Sequence, residues 1–186
     1  MSKNILFISE QKLKDSSMLS DNIDPKSLRP TVKMTQDMYI HPLLGSALYN
    51  KLQELVQSGT VAGDYKILMD EYITDTLVWY TLTEMPVPLQ YKLVNKGVIT
   101  RTGEAIQTIS FAEVQNIVDY CRNKAEWYAQ RCIQYLCANQ DKYPEYKATE
   151  QPADGIYPDI TQYTCGIDLG PVRRDKHTFD RRYQGK

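Results

Sequence analysis

Asp70, Glu71 and Asp75 put three carboxylates within six residues, a density that could support acid–base chemistry if their environments drove their proton affinities apart. They share a helical pattern with Lys66, and alternating charge of that kind is what a solvated helix face carries. The two histidines are His41 and His177. Neither has a suggestive neighbour from which a nucleophile, its base and an orienting group could be assembled, and His41, beside Pro42, reads as a helix-end residue. Cys121, Cys132 and Cys137 fall in one helical pattern, where 11 residues at about 1.5 Å each separate the first two by roughly 16 Å, beyond disulfide reach. Cys132 and Cys137 point to different sides, leaving Cys165 as the only conceivable partner, and a reduced cytoplasmic origin follows. A zinc site needs about four ligands in short paired spacings, and the chain has no Cys-x-x-Cys. It has no Gly-x-Gly-x-x-Gly or Walker-type loop either. These residues predict no catalytic residue, no metal and no cofactor, and so not an enzyme.

The elements that would position any such chemistry are helical. Leu28, Val32, Tyr39 and Leu43 recur at multiples of three and four, the mark of a half-buried helix. Pro42 is expected to end it, with Gly45 closing the turn and Leu48, Leu52, Leu55 and Val56 starting a second stripe. Residues 64 to 84 show Ile67, Leu68, Tyr72 and Trp79 on one side and Met69, Ile73, Leu77 and Tyr80 around the rest, so this helix is expected to be covered on more than one side. Pro86 and Pro88 should stop it. β-Branched residues flank Asn95, Lys96 and Gly97, which predicts a β-hairpin near 91–102. Ser110 to Glu113 is a capping box opening a helix to about Asn139. Its seam is Val114, Val118, Cys121, Ala125, Tyr128, Cys132 and Leu136. Tyr120 and Trp127 fall opposite that seam, with Lys124 between them and Arg131 a turn beyond. Two aromatics beside cations on a solvated face have the composition of a protein contact.

The fold class is therefore mainly α: a helical bundle of about four main helices with one β-hairpin, residues 1–139, and an extended C-terminal arm, 140–186. The net charge of −1 gives no global pull toward nucleic acid or an anionic membrane. Charge is uneven, however: Arg173, Arg174, Lys176, Arg181, Arg182 and Lys186 face only Asp175 and Asp180 from residue 171 onward. With Phe179 and Tyr183 among them, they suit a segment that folds on a partner. The apolar run Ile5 to Ile8 is too short for a signal-peptide core or a membrane span.

The run Asn22-Ile-Asp-Pro-Lys, the segment Leu43-Leu44-Gly45-Ser46-Ala47-Leu48-Tyr49-Asn50-Lys51-Leu52, the helix from about Tyr65 to Glu84, the stretch Leu93-Val94-Asn95-Lys96-Gly97-Val98 and the long helix after it follow in an order that resembles the head–tail connector proteins of tailed bacteriophages. The nearest likeness is to the first neck ring protein below the portal of crAss-like phages. The resemblance implies a structural virion protein at the head–tail interface, made in the host cytoplasm. It implies a homo-oligomeric, dodecameric ring that binds the portal and the next neck or tail protein. Double-stranded DNA would pass through its channel without sequence readout, and no membrane is involved. It also implies that the hairpin of Asn95, Lys96 and Gly97 lines or caps that channel. Tyr120, Trp127, Arg131, Arg173, Arg174, Arg181 and Arg182 are the expected protein-interface residues. A small helical protein-binding or regulatory module using the Tyr120/Trp127 face is the alternative. Gly166-Ile167-Asp168-Leu169-Gly170 is similar to the first phosphate segment of actin-like ATPases, but it precedes Pro171 with too little chain left for that fold.

Overall fold

The computed structural model describes residues 5–95, 97–100, 110–147 and 154–160. The protein is mainly helical. Helix α1, Glu10–Asp15, starts at Ser9, whose hydroxyl accepts from the Lys12 N–H, and buries Leu13. Helix α2, Pro25–Thr35, is capped by Asp24 and has Pro25 in its first turn, where a missing N–H costs least. Arg29 of α2 pairs with Glu10 of α1.

The chain does not stop after α2. A π turn, Gln36–Ile40, closes with the His41 N–H on the Gln36 carbonyl, and helix α3, His41–Ser58, continues directly from it. The extra residue of a π turn shifts the apolar stripe by one position. Ile40 is therefore fully buried while Tyr39, expected on that stripe, is half-buried. Nor does Pro42 end the helix. It lies in the first turn of α3, and the break comes at Gly45, with φ 72° and ψ 157°.

The same device recurs in the next rod. Helix α4, Gly63–Leu68, passes through a π turn, Met69–Ile73, into helix α5, Thr74–Glu84. Leu68, Met69, Ile73, Leu77 and Val78 are buried, but Ile67 is 41% exposed. Helix α5 ends at Glu84, directly before Pro86 as expected, and a short helix α6, Pro86–Gln90, follows, entered through the Leu89 N–H on the Met85 carbonyl. Strands β1, Tyr91–Val94, and β2, Gly97–Thr100, pair antiparallel with Tyr91 opposite Thr100.

Helix α7, Phe111–Ala138, opens on the capping box: the Ser110 N–H donates to Glu113 at 2.8 Å while the Ser110 hydroxyl accepts from the Glu113 N–H. It lies along α5. Val114, Val118, Cys121, Ala125, Cys132 and Leu136 are buried as the seam requires, joined by Ala129 and Ile133. Tyr128 is only half-buried, because its ring stacks beside Trp79 at the edge of the helix pair. Burial pushes the Cys132 thiol up to about 12, so it behaves as a small hydrophobe. A buried Thr35–Thr81 hydroxyl contact of 3.1 Å ties α2 to α5.

The first part of the 140–186 arm packs onto this bundle. Short 3-10 turns at Gln140–Lys142 and Pro144–Lys147 bring in Tyr143, fully buried, and Tyr146, 4% exposed. The Tyr143 hydroxyl donates to the Asp64 carbonyl at 2.9 Å and meets the Tyr135 hydroxyl at 3.0 Å, so a ring with two polar partners replaces the missing helix periodicity.

Ala125 is fully buried in the seam. Ala125→Asp should therefore cost several kcal/mol, a large part of a domain stability of about 5–15 kcal/mol. Chemical denaturation would check this, and an unchanged midpoint would mean that the face assignment is wrong.

Candidate functional site

The site is organised by the interruption at Gly45. In an unbroken helix the Ser46 N–H would bond the Pro42 carbonyl; the Gly45 conformation turns the two apart. Both groups are taken up by one later segment. The Ser46 N–H donates to the Ile156 carbonyl at 3.1 Å, and the Pro42 carbonyl accepts from the Asp159 N–H at 2.9 Å. Residues 154–160 thus form a strap across the bend. Its fit requires glycine twice over: φ is positive, and a β-carbon at Gly45 would stand 2.6 Å from Pro158 Cδ and 2.7 Å from Pro158 N.

Side chains fasten the strap. Ser46 Oγ donates to Asp154 Oδ2 at 2.6 Å and lies 2.7 Å from His41 Nε2. Because the Ser46 proton goes to Asp154, His41 Nε2 must be the donor to Ser46 Oγ. A serine, a histidine and an aspartate are therefore together, but in the wrong order for nucleophile activation, which needs the histidine to accept the serine proton. The Ser46 hydrogen bond, the Ile156 N–H and the nearby His41 hold the Asp154 carboxyl below its ordinary range. His41 stacks on Tyr49, ring centres 4.3 Å apart. Burial pushes the Tyr49 phenol up to about 12; Asp37, which accepts its proton, adds to this, and Gln36 opposes it.

Beside the strap a cleft of about 510 Å³ opens between the π turn of residues 36–40, the bend, α5 and α7. Tyr39 and Tyr80, stacked at 4.1 Å, line it together with Met38, Trp127, Glu126 and Asp159. The Tyr39 hydroxyl donates to Glu84 at 2.7 Å. Burial, then Glu84, pushes the Tyr39 phenol up to about 12. Burial does the same to Tyr80. Both rings are neutral near neutrality and supply apolar wall, not charge.

The interface residues expected from sequence divide into separate sets. Tyr120 is 53% and Trp127 61% exposed; Tyr120 lies edge-on to Trp79, and Trp127 edge-on to Tyr128. Lys124 stands 5.3 Å over the Tyr120 ring. Arg131 is engaged within the chain: its guanidinium is 4.6 Å from the Tyr72 ring centre, donates to the Glu71 carbonyl at 3.2 Å and pairs with Asp75 at 3.7 Å. Of the three clustered acidic residues, Asp75 pairs with Arg131 through its carboxylate and Glu71 through its backbone carbonyl, and with the Tyr72 ring they fasten α7 to the Met69–Ile73 turn and the start of α5. Asn95 is exposed in the turn between β1 and β2. Lys96, Arg173, Arg174, Arg181, Arg182, His177, Cys165 and the 166–170 motif lie outside the described residues. Among the described residues no group of three or more His, Cys, Asp or Glu is placed to hold a metal ion, and no helix is long and apolar enough to cross a membrane. Sequence reasoning missed the His41–Ser46–Asp154 contact, since 108 residues separate Ser46 from Asp154. The one available signal was Gly45 itself, read as a helix end instead of a seat for Pro158.

Two outcomes follow. Gly45→Ala should destabilise the protein by about 2 kcal/mol or more, from backbone strain added to the Pro158 clash; adding Pro158→Ala should recover only the share due to the ring Cδ, since the residue 158 backbone nitrogen stays 2.7 Å from the new β-carbon, as thermal unfolding of both variants would reveal. Asp154, with its folded-state proton affinity lowered, adds stability that is present above the unfolded value near about 4 and fades as pH falls through the folded value. Hydrogen-exchange opening free energies at the Ser46 amide should decline on acidification in the native chain and stay flat in Asp154→Asn.

No curated protein and no solved structure matches this chain. A family match covers residues 40–156, from the residue before His41 to the strap carbonyl that Ser46 binds, and thus most of the helical domain. On that match the chain belongs to DUF6712, a family of unknown function.

Proposed function

We propose that the chain is a structural virion subunit that forms a homo-oligomeric ring at the neck of a tailed bacteriophage, joining the portal to the tail and extending the DNA channel. The observation that carries this reading is the open aromatic face of α7, with Tyr120 53% and Trp127 61% exposed beside the cleft. Large amphipathic rings grouped at a surface are the composition of interface anchors. The order of elements that resembles the connectors supports it from the sequence side. In this reading the domain is a bundle of four main helices carrying a hairpin and a C-terminal arm. The outer faces of α5 and α7 meet neighbouring subunits, and the Asn95–Gly97 turn faces the channel. In the particle, Arg173, Arg174, Arg181 and Arg182 pair with carboxylates of the portal or an adjacent subunit.

The same aromatic face also favours a second reading, a monomeric or dimeric module that holds one protein partner. Mass measurement of the chain alone and with a portal distinguishes them: a ring-sized species in either condition supports the connector, and a monomer or dimer in both overturns it. Trp127→Ala should leave helicity and melting temperature unchanged and weaken self-assembly by about 2 kcal/mol or more, roughly thirty-fold. A collapse of thermal stability would make Trp127 a core residue and remove the argument.

A further inference from the structure

The cleft beside the strap combines an apolar wall with carboxylates at its lip. Met38 is 55% exposed and Trp127 61%; the stacked Tyr39 and Tyr80 rings form a flat wall, and Glu126 and Asp159 add negative charge. A ligand that matches this lining carries cations for the carboxylates and for the Trp127 face, with aromatic rings for the wall. The chain contains such a segment. Residues 171–186 hold six cations against two carboxylates, together with Phe179 and Tyr183. The segment thus carries +4 in a chain of total charge −1, leaving −5 on residues 1–170.

Position points to the same occupant. Asp159 lines the cleft, and Pro171 follows it by twelve residues. The tether therefore starts at the cleft's own rim. Twelve residues span at most roughly 40 Å, ample for a return to a cleft of about 510 Å³, and so short a link keeps the segment at an effective concentration of about millimolar. The segment's few aliphatic residues offer little to offset the entropy of ordering on their own, and the aromatic wall of the cleft is an apolar surface of the kind such a segment needs.

We propose that residues 171–186 dock into this cleft of their own chain, covering Trp127 and setting arginines against Glu126 and Asp159. The contact is independent of ring formation. Its consequence is that any partner for the Trp127 face must first displace the segment, so the face stays covered until that partner arrives.

The test uses the full chain. Isotope-labelled and unlabelled protein are mixed and treated with a carbodiimide, which joins amines to carboxylates in direct contact. Mass spectrometry should find Lys176 or Lys186 linked to Glu126 or Asp159 in peptides of a single isotope composition. Those links should be lost or sharply reduced in the variant with Arg173, Arg174, Arg181 and Arg182 all changed to Glu. Absence of the links, or links only between labelled and unlabelled chains, overturns the proposal. A second measurement adds a synthetic peptide of residues 171–186. It should bind the four-arginine variant, whose cleft is vacated, at least about tenfold more tightly than the native chain, as competition by a tethered segment requires. Adding Glu126→Lys to that variant should abolish the gain. Equal affinity for the native chain and the four-arginine variant would show that the cleft holds no tethered segment.

Discussion

One missing helical hydrogen bond governs the arrangement of this molecule. Where Gly45 turns α3 aside, the Ser46 N–H and the Pro42 carbonyl lose each other in a place where Leu43, Leu44, Gly45 and Ser46 are buried. Leaving both groups unpaired would cost about 1–3 kcal/mol each. The strap answers both, through the Ile156 carbonyl and the Asp159 N–H, and so brings a segment more than 100 residues away back to the middle of the first helical rod. Pro158 can sit over the bend only because Gly45 has no side chain. The bend, the strap and the glycine are one constraint, since the strap answers the two groups that the bend frees and glycine leaves the room that Pro158 takes.

That constraint also makes the cleft. With the strap seated, Asp159 stands at the rim facing Glu126 and Trp127 of α7, while the π turn before α3 presents Met38 and Tyr39 and buries Ile40. Had the rod stayed in α register, Tyr39 would have followed Leu28 and Val32 into the core and the cleft would have lost its stacked wall. The π turn and the bend therefore cooperate: the first chooses which aromatic faces outward, and the second sets the opposite rim. Neither creates a reactive group. The Ser46 proton is committed to Asp154, and burial pushes the Tyr39, Tyr49 and Tyr80 phenols up, so these rings enter the cleft and its surroundings as neutral walls.

The helices themselves were legible because burial on one side imposes a period, and α7 carried both a period and a capping box. The outward placement of Tyr120 and Trp127 followed from the same period. What sequence could not supply was register. A π turn adds one residue without any residue type that announces it, so Tyr39 and Ile40 exchange roles and Pro42 moves from stopping a helix to starting one. Arg131 illustrates a second limit. Its spacing from Tyr120 and Trp127 suggested a shared outward face, yet Tyr72, Glu71 and Asp75 are close enough to claim it, and contact between helices is not written in the spacing along one of them.

The tyrosines after Asn139 show why a segment without periodicity need not be separate from a core. Tyr143 and Tyr146 are buried because a phenol can place its ring among apolar neighbours and its hydroxyl on a carbonyl, which Tyr143 does on Asp64. No helical stripe is needed for that, only a few anchors at irregular intervals. Tyr65 donates to Glu145 at 2.7 Å in the same way, so the chain leaving α7 is fastened to the start of α4. Two tyrosine anchors and a dipeptide's worth of backbone hydrogen bonding thus convert what reads as an arm into the piece that holds the first helical rod in its bent form.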